Sequence, residues 1–373
     1  MKIAPIIEAI HKEQELGTDL NYRLVHTGQH SDWHMSAAFF EQLGIPEPDI
    51  KLEVGGGSQA EMTAAIMMRY ERVLHQQRPD MVLVVGDVTS TLACAVTAKK
   101  MMDIPVAHVE AGIRSGDWTM PEEINRIVTD SVTDYFFTTS QTANDNLLAA
   151  GIPKQGIFFV GNTMIDTLLK HQARFCAPDF WNKEQLTTGS YIVLTLHRPG
   201  TVDQPKKLKA IIDAVIAASR GRKIIFPIHP RTAKVFAQLD VHADNLFVTE
   251  ALPYLEFNYL VKHALAVVTD SGGITEETTV MNVPCMTIRD TTERPETCTI
   301  GTNRLLGTDP AAIAPAFDLL FAGAWSKGNI PPLWDGKTAQ RIIQILKKLP
   351  IGMPVSNLQV EQVNENGLNH FPL

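Results

Sequence analysis

Carboxylates stand directly after apolar runs at two places, Asp87 in VVGDVTST and Glu110 in HVEAGIRSGDWTMPEEINR. A carboxylate leaving an apolar strand is costly unless it is paired, and Arg114 and Arg126 lie near enough in sequence to pair with Glu110. Neighbouring carboxylates also raise one another's pKa, which prepares one for acid work and another for base work. Asp87 admits two readings, a helix cap or a carboxylate at the mouth of a cleft. Glu122 and Glu123 follow Pro121 and suit the first turn of a helix. A third cluster, AVVTDSGGITEE, joins an apolar run to a helical one through small residues, which lets backbone amides approach an anion. Arg289 and Arg294 follow it in RDTTERPETC and suit phosphate oxygens. His197 in TLHRPGTVD and His229 in FPIHPRT each precede an arginine, and His197 reads as a proton donor or phosphate ligand. Together these groups describe proton transfer beside a phosphorylated ligand.

Elements of alternating type must position them. Short β-rich runs, among them Met81–Val85, Val106–Val109, Tyr135–Thr138, Tyr191–Leu196, Ile224–Ile228, Ala266–Thr269 and Cys285–Ile288, alternate with helical stretches such as Ser58–Gln76, Thr89–Met102 and Lys206–Ser219. That alternation predicts parallel sheets covered by helices, and uninterrupted apolar runs fit strands buried on both faces. Lys170–Gly189 holds no strand-like run and separates two sets. The expected fold is α/β, two Rossmann-like doubly wound domains, 1–168 and 169–348, with ligand chemistry at the strand ends in a central cleft. The polar tail Gln359–Leu373 is left open between disorder and packing back on a neighbouring domain.

Composition narrows the functions. With 33 basic and 41 acidic residues in 373, the net charge of −8 argues against a nucleic-acid partner. No apolar run approaches the roughly 18–20 residues of a membrane span, so no membrane partner is expected. The amino terminus does not read as a secretory signal. Cys94, Cys176, Cys285 and Cys298 form no pair or cluster, which predicts buried free thiols in a cytoplasmic protein. HExxH, GxGxxG after a strand, P-loop and GxSxG motifs are absent, so neither a metal nor a bound cofactor is signalled.

The ordered set TGQH, GDVTST, HVEAGIRSGDWTMPEEINR, GNTMIDTLL, TLHRP, FPIHPRT, DSGGITEETTVMNVPC and RDTTERPETCTIGTNRLLG resembles the non-hydrolysing UDP-N-acetylglucosamine 2-epimerases from Lys2 to about Gly307. The resemblance implies a GT-B-like fold, with a carboxy-terminal helix (about 349–373) packing back on the first domain. It implies reversible conversion of UDP-GlcNAc to UDP-ManNAc through a 2-acetamidoglucal intermediate, without metal or NAD. Carried over by motif, Asp87, Glu110, Glu122 and His197 are catalytic. Lys2, Arg126, His229, Ser271, Gly272, Gly273, Glu277 and Arg294 bind substrate; Gln29, His30 and His229 match an activator site. A homodimer is implied as well.

Two departures qualify the match. Members of the family open with a strand and a GTRPE-type loop ahead of the lysine that Lys2 matches, so a truncated or weakly active chain is expected. Gly116 and Gln59 replace an aromatic and a histidine. Alternatives are a hydrolysing relative, an epimerase of a diacetamido or uronate sugar nucleotide, a glycosyltransferase of the same architecture, and a non-catalytic UDP-sugar binder.

Overall fold

Runs rich in Val, Ile, Phe and Tyr, bounded by Gly, Pro, Ser and Asp, form the strands, because branched and aromatic side chains fit a pleated, buried surface. The computed structural model describes residues 1–28, 40–101 and 104–349. Its strands are β1 (Val25–His26), β2 (Ile50–Lys51), β3 (Val82–Val85), β4 (Val106–Ala111), β5 (Tyr135–Thr138), β6 (Ile157–Phe159), β7 (Tyr191–Thr195), β8 (Lys223–Ile228), β9 (Leu246–Glu250), β10 (Ala266–Thr269), β11 (Cys285–Thr287) and β12 (Asn303–Leu305). The helices of the first half are α1 (Ala4–Glu15), α2 (Gln59–Gln76), α3 (Thr89–Lys100), α4 (Pro121–Ser131), α5 (Gln141–Ala149) and α6 (Thr163–His171). Those of the second are α7 (Pro199–Val202), α8 (Pro205–Ala218), α9 (Pro230–Phe236), α10 (Tyr254–Lys262), α11 (Gly272–Met281), α12 (Pro295–Thr299), α13 (Ile313–Phe321) and α14 (Thr338–Leu346).

All strand pairs are parallel, and they build two α/β halves. The carboxyl half is one six-stranded sheet in the order β12-β11-β10-β7-β8-β9. Its chain order reverses between β7 and β10, the switch point at which open α/β sheets take ligands. The amino half carries β3-β4-β5-β6 and a separate β1-β2 pair, and β1 and β3 are each paired on one side only among the described residues. The pair shares a core with β3 through Leu52, Val54, Ile66, Val82 and Val84.

Residues 350–373, which include most of the stretch expected to pack back, lie outside the described residues. The helix that does return is earlier, α14. Ala339, Ile342 and Ile343 enter the amino-half core with Ile6, Ala107, Tyr135 and Phe137. Asp166 on α6 caps α14, accepting from the amides of Thr338 at 3.1 Å and Ala339 at 2.7 Å. Such a cap satisfies donors that the first helical turn leaves orphaned. Among the described residues no helix is long and apolar enough to cross a membrane. All four cysteines are free, but Cys176 is exposed where a buried thiol was expected, because it lies in the polar connection between the halves.

Candidate active site

β3 and β4 run in register from Val82 opposite Val106 to Val85 opposite Val109, so their ends lie side by side. Gly86 follows β3 with φ of 76°, the left-handed region that glycine adopts without a Cβ clash. A Cβ there would meet Lys2 Nζ at 3.3 Å. On β4 the register shifts between Val109 and Ala111, and Glu110 itself takes φ of 75°. That conformation costs an L-residue about 1–2 kcal/mol, and a bulge of this kind re-aims a side chain beside a site.

Glu110 is 3% exposed. Its Oε1 accepts from Lys2 Nζ at 2.6 Å and from Arg294 Nη2 of the carboxyl half. Its Oε2 is buried with no hydrogen-bond partner among the described residues. These cations replace the partners expected from sequence proximity. Arg114 instead binds Asp130 at 2.7 Å. Arg126 binds Asp87 at 2.8 Å and Glu123 at 2.6 Å. The bulge carries Glu110 toward the other half, whereas α4 turns Arg126 toward the end of β3.

Asp87 does not cap α3, whose N-cap position is Val88 without a side-chain cap bond. Its Oδ2 takes Arg126 Nε at 3.0 Å and Nη2 at 2.8 Å. Burial alone would raise its carboxyl, but Lys2 and Arg126 outweigh burial and hold it below the usual carboxylate range. Burial likewise disfavours the Lys2 ammonium, yet Glu110 and Asp87 raise it above its ordinary value. Glu123 fastens the preceding loop, accepting from the amides of Ser115 at 2.9 Å and Gly116 at 3.0 Å. Glu122, half-buried in the first turn of α4, has no hydrogen bond or ion pair among the described residues. Behind the strand ends, His108 Nδ1 lies 2.8 Å from Asp130 Oδ1, and Nε2 lies 2.8 Å from the Gly86 carbonyl. Burial pushes Asp130 up, but the hydrogen bond and charge of His108, with Arg114, keep its carboxyl below the ordinary value.

At the carboxyl-half switch point, buried Asp270 accepts from the His197 amide at 3.0 Å and the Arg198 amide at 2.9 Å, and its Oδ1 lies 2.9 Å from His197 Nδ1. Ser271 precedes α11 without a side-chain cap bond, so the first amides of that helix lack the acceptor that a cap supplies. A Cβ on Gly272 would lie 2.4 Å from Glu293 Oε1, so a larger residue would displace that carboxylate, and one on Gly273 would sit 3.4 Å from Met164. Arg289 binds Glu293 at 2.7 Å through Nη2, while its buried Nη1 has no hydrogen-bond partner among the described residues. Burial would raise Glu293, but the Arg289 charge and hydrogen bond hold it far below the usual range.

The two halves meet here. Met120 Sδ, on the loop before α4, lies 3.6 Å from Arg198 Nη1 and 3.8 Å from Arg289 Nη2. Arg294 joins Glu110 to Glu276 and reaches Thr139 Oγ1 at 3.3 Å, while Asn162 Nδ2 donates to Glu276 at 3.0 Å. Burial pushes Glu276 up to about 7, with Arg294 opposing the rise and Glu110 adding to it. Burial also raises Glu277 to about 7, against hydrogen bonds from Tyr254 and Asn258, and its Oε1 has no hydrogen-bond partner among the described residues.

Arg126 and Arg294, expected to hold substrate, each pair with two carboxylates here. Arg289, with its unpartnered Nη1, is the cation placed for a ligand, and its signal in the sequence is its position just past β11. Glu276 carried no signal apart from its neighbour in the Glu-Glu pair. His229 is exposed, with its ring 5.9 Å from that of His197 and its Nδ1 accepting from the Arg231 amide at 3.2 Å. Burial, then the neighbouring His197 and Arg231, lower its pKa. Gln29 and His30 lie outside the described residues. Among the described residues no group of three or more His, Cys, Asp or Glu is placed to hold a metal ion.

This arrangement joins the carboxylates Asp87 and Glu110 at the strand ends of one sheet to the Ser271–Gly273 turn and its arginines on the other. The family profile described as "UDP-N-acetylglucosamine 2-epimerase" matches residues 12–347. A UDP-N-acetylglucosamine 2-epimerase of Methanocaldococcus jannaschii is 38% identical over 357 residues, 93% of this chain and 95% of that protein. The UDP-2,3-diacetamido-2,3-dideoxy-D-glucuronate 2-epimerase of Pseudomonas aeruginosa is 39% identical over 310 residues, 82% of this chain and 85% of that one. The crystal structure of the M. jannaschii UDP-GlcNAc 2-epimerase in complex with UDP-GlcNAc and UDP superposes with a TM-score of 0.83 at 39% identity, covering 93% of this chain and 96% of that chain. With the profile running through both halves, the chain belongs to the UDP-N-acetylglucosamine 2-epimerase family.

Proposed function

We propose that the protein interconverts UDP-N-acetylglucosamine and UDP-N-acetylmannosamine by eliminating UDP and adding it back. The observation that carries this reading is Glu110: two cations, one of them from the other half, anchor one oxygen, and the other oxygen is buried with no hydrogen-bond partner among the described residues. A group of this kind takes a proton from a bound sugar without the competition of water. As the C2 proton leaves, its bonding pair becomes the C1=C2 double bond, and the C1–O pair departs with UDP. The intermediate is 2-acetamidoglucal. UDP then re-adds at C1 while a proton reaches C2 from the opposite face. The steps balance without an oxidant.

Asp87 and Glu122 supply the opposing acid–base pair with Glu110, and Lys2 holds the charge of Asp87 and Glu110. The Ser271 hydroxyl and the amides of Gly272 and Gly273, with His197, Arg198 and Arg289, stabilise the departing diphosphate, where fixed donors act on charge as it develops. Glu277 takes the ribose hydroxyls, and His229 lies at the edge of the same site. Arg126 and Arg294 act on the substrate through the carboxylates they hold. A division of the chain at about residue 168, within α6, is part of the proposal, and the free thiols fit a cytoplasmic protein.

Incubation with UDP-GlcNAc in D2O, followed by NMR, tests the reaction. Deuterium at C2 with UDP-ManNAc as product is the expected result. Binding without C2 exchange overturns the reading, and free ManNAc assigns hydrolysis instead. The P. aeruginosa relative favours a second substrate, its diacetamido uronate; the same experiment with that nucleotide sugar, and a higher turnover on it, would reassign the sugar but not the chemistry.

A homodimer formed through the groove between α2, α3 and α4 completes the proposal. The groove, of about 430 Å³, is lined by Ala60, Ala64, Met67, Leu92, Pro121 and Ile124. Met68 on α2 and Ile124 in the lining are 59% and 44% exposed, so the helices that form the recess also offer projecting apolar side chains, as a two-fold interface needs. Light scattering is expected to give the mass of two chains, and that of one chain for Met68→Glu. A wild-type mass of one chain refutes the dimer.

A further inference from the structure

His108 touches neither half of the cradle, yet it joins the two turns that carry the amino-half carboxylates. Its ring is wholly buried in β4, two residues before the bulge. On one side Nε2 meets the Gly86 carbonyl at 2.8 Å, immediately before Asp87. A carbonyl only accepts, so Nε2 must carry a proton. On the other side Nδ1 meets Asp130 Oδ1 at 2.8 Å. Asp130 Oδ2 accepts from the Gly112 amide at 3.1 Å, just past Glu110, and pairs with Arg114 Nη1 at 2.7 Å. With Arg114 and the Gly112 amide already donating to it, Asp130 is an ionised acceptor, so Nδ1 carries a proton as well.

We infer that His108 is an imidazolium and a positioning residue, clamping the Gly86–Asp87 turn to the Glu110–Gly112 bulge through Asp130 and so fixing the distance between the two carboxylates. The inference rests on the proposed epimerisation for its kinetic consequence, but not for its structural one. Gly86 and Glu110 both hold positive φ, and a left-handed residue that bears a Cβ persists only where its surroundings over-determine it. The clamp supplies that constraint from one side of each turn. The groups facing the ring are Asp130 from α4, with Arg114 beyond it, and the Gly86 carbonyl from the end of β3. Neither Lys2 nor Arg294 contacts His108, so the clamp works independently of the cations that hold the Glu110 carboxylate.

Two measurements on the whole protein test this. With 15N-labelled histidine at neutral pH, the signal lost in His108→Gln is expected to come from a ring protonated at both nitrogens. A ring with one bare nitrogen, whose resonance lies far downfield, would overturn the inference. In kinetics, His108→Gln is expected to lower kcat by about a hundredfold, as a misplacement near 1 Å can, with KM for UDP-GlcNAc moved far less. A variant that stays folded at wild-type kcat, or whose loss falls wholly on KM, would remove the positioning role. If the variant fails to fold, Asp130→Asn serves in its place, because it keeps the shape and one ring contact while removing the charge; the same loss of kcat at steady KM is expected of it. A wild-type protein without turnover would count against the epimerase reading, while the ring nitrogens still decide the clamp.

Discussion

Glu110→Gln lowers turnover by about a hundredfold to ten-thousandfold, the range that positioned acid–base groups contribute. Glutamine keeps the shape and an acceptor oxygen for Lys2 and Arg294, but its amide cannot take a proton from carbon. Product formation followed by NMR with saturating UDP-GlcNAc checks the rate, and a near-normal rate would remove Glu110 from the mechanism. The buried charges make stability a second readout. With the carboxylate gone, Lys2 retains Asp87 nearby and Arg294 retains Glu276, so each cation keeps an anionic neighbour. The loss is therefore that of charged hydrogen bonds, about 1.5–3 kcal/mol, and a folded variant is expected. A catalytic loss in a folded protein separates chemistry from collapse.

The strands were legible because parallel sheets bury both faces and so leave continuous apolar runs. Tyr135–Thr138 and Ala266–Thr269 are strands with those very bounds. Two strands that escaped notice, β2 and β12, are two and three residues long and mix polar with apolar side chains. No hydrophobic pattern marks so short a strand. The same distinction runs through the site. Asp87, Glu110 and the Ser271–Gly273 turn stood out because polar residues at strand ends depart from the apolar rule. Their partners did not, because ion pairing is set by fold topology: Glu110 reaches Arg294, far along the chain, and passes over Arg114 close by. Nor does spacing reveal that His108 faces two acceptors, since one comes from the strand beside it and the other from the helix that follows.

Arg294→Met destabilises the protein by about 3–5 kcal/mol near neutral pH, the cost of breaking a buried pair from one side. Glu110 then keeps Lys2, but Glu276 loses its paired cation and keeps the amide of Asn162, with the charge of Lys2 a weaker influence. The size of the loss depends on pH, and the sign follows from Glu276. Burial already lifts its carboxyl to about 7 in the folded protein, with Arg294 as the main opposing charge. A group whose folded value is raised contributes stability below its unfolded value, near 4.5, and loses that contribution as pH rises through the folded value. Without Arg294 the rise goes further, so the variant tolerates a protonated Glu276 at pH 5 and suffers most above pH 7. Urea unfolding at pH 5 and pH 8 is expected to show the larger gap from wild type at pH 8. Adding Glu276→Gln to Arg294→Met removes the buried charge that has no counter-ion and is expected to recover most of that gap, a coupling that contacting residues show and distant ones do not. Equal gaps at the two pH values, or no recovery in the double variant, would mean that Arg294 does not neutralise Glu276. The arginine would then serve Glu110 alone, and the ion pair between the two halves would stand without Glu276.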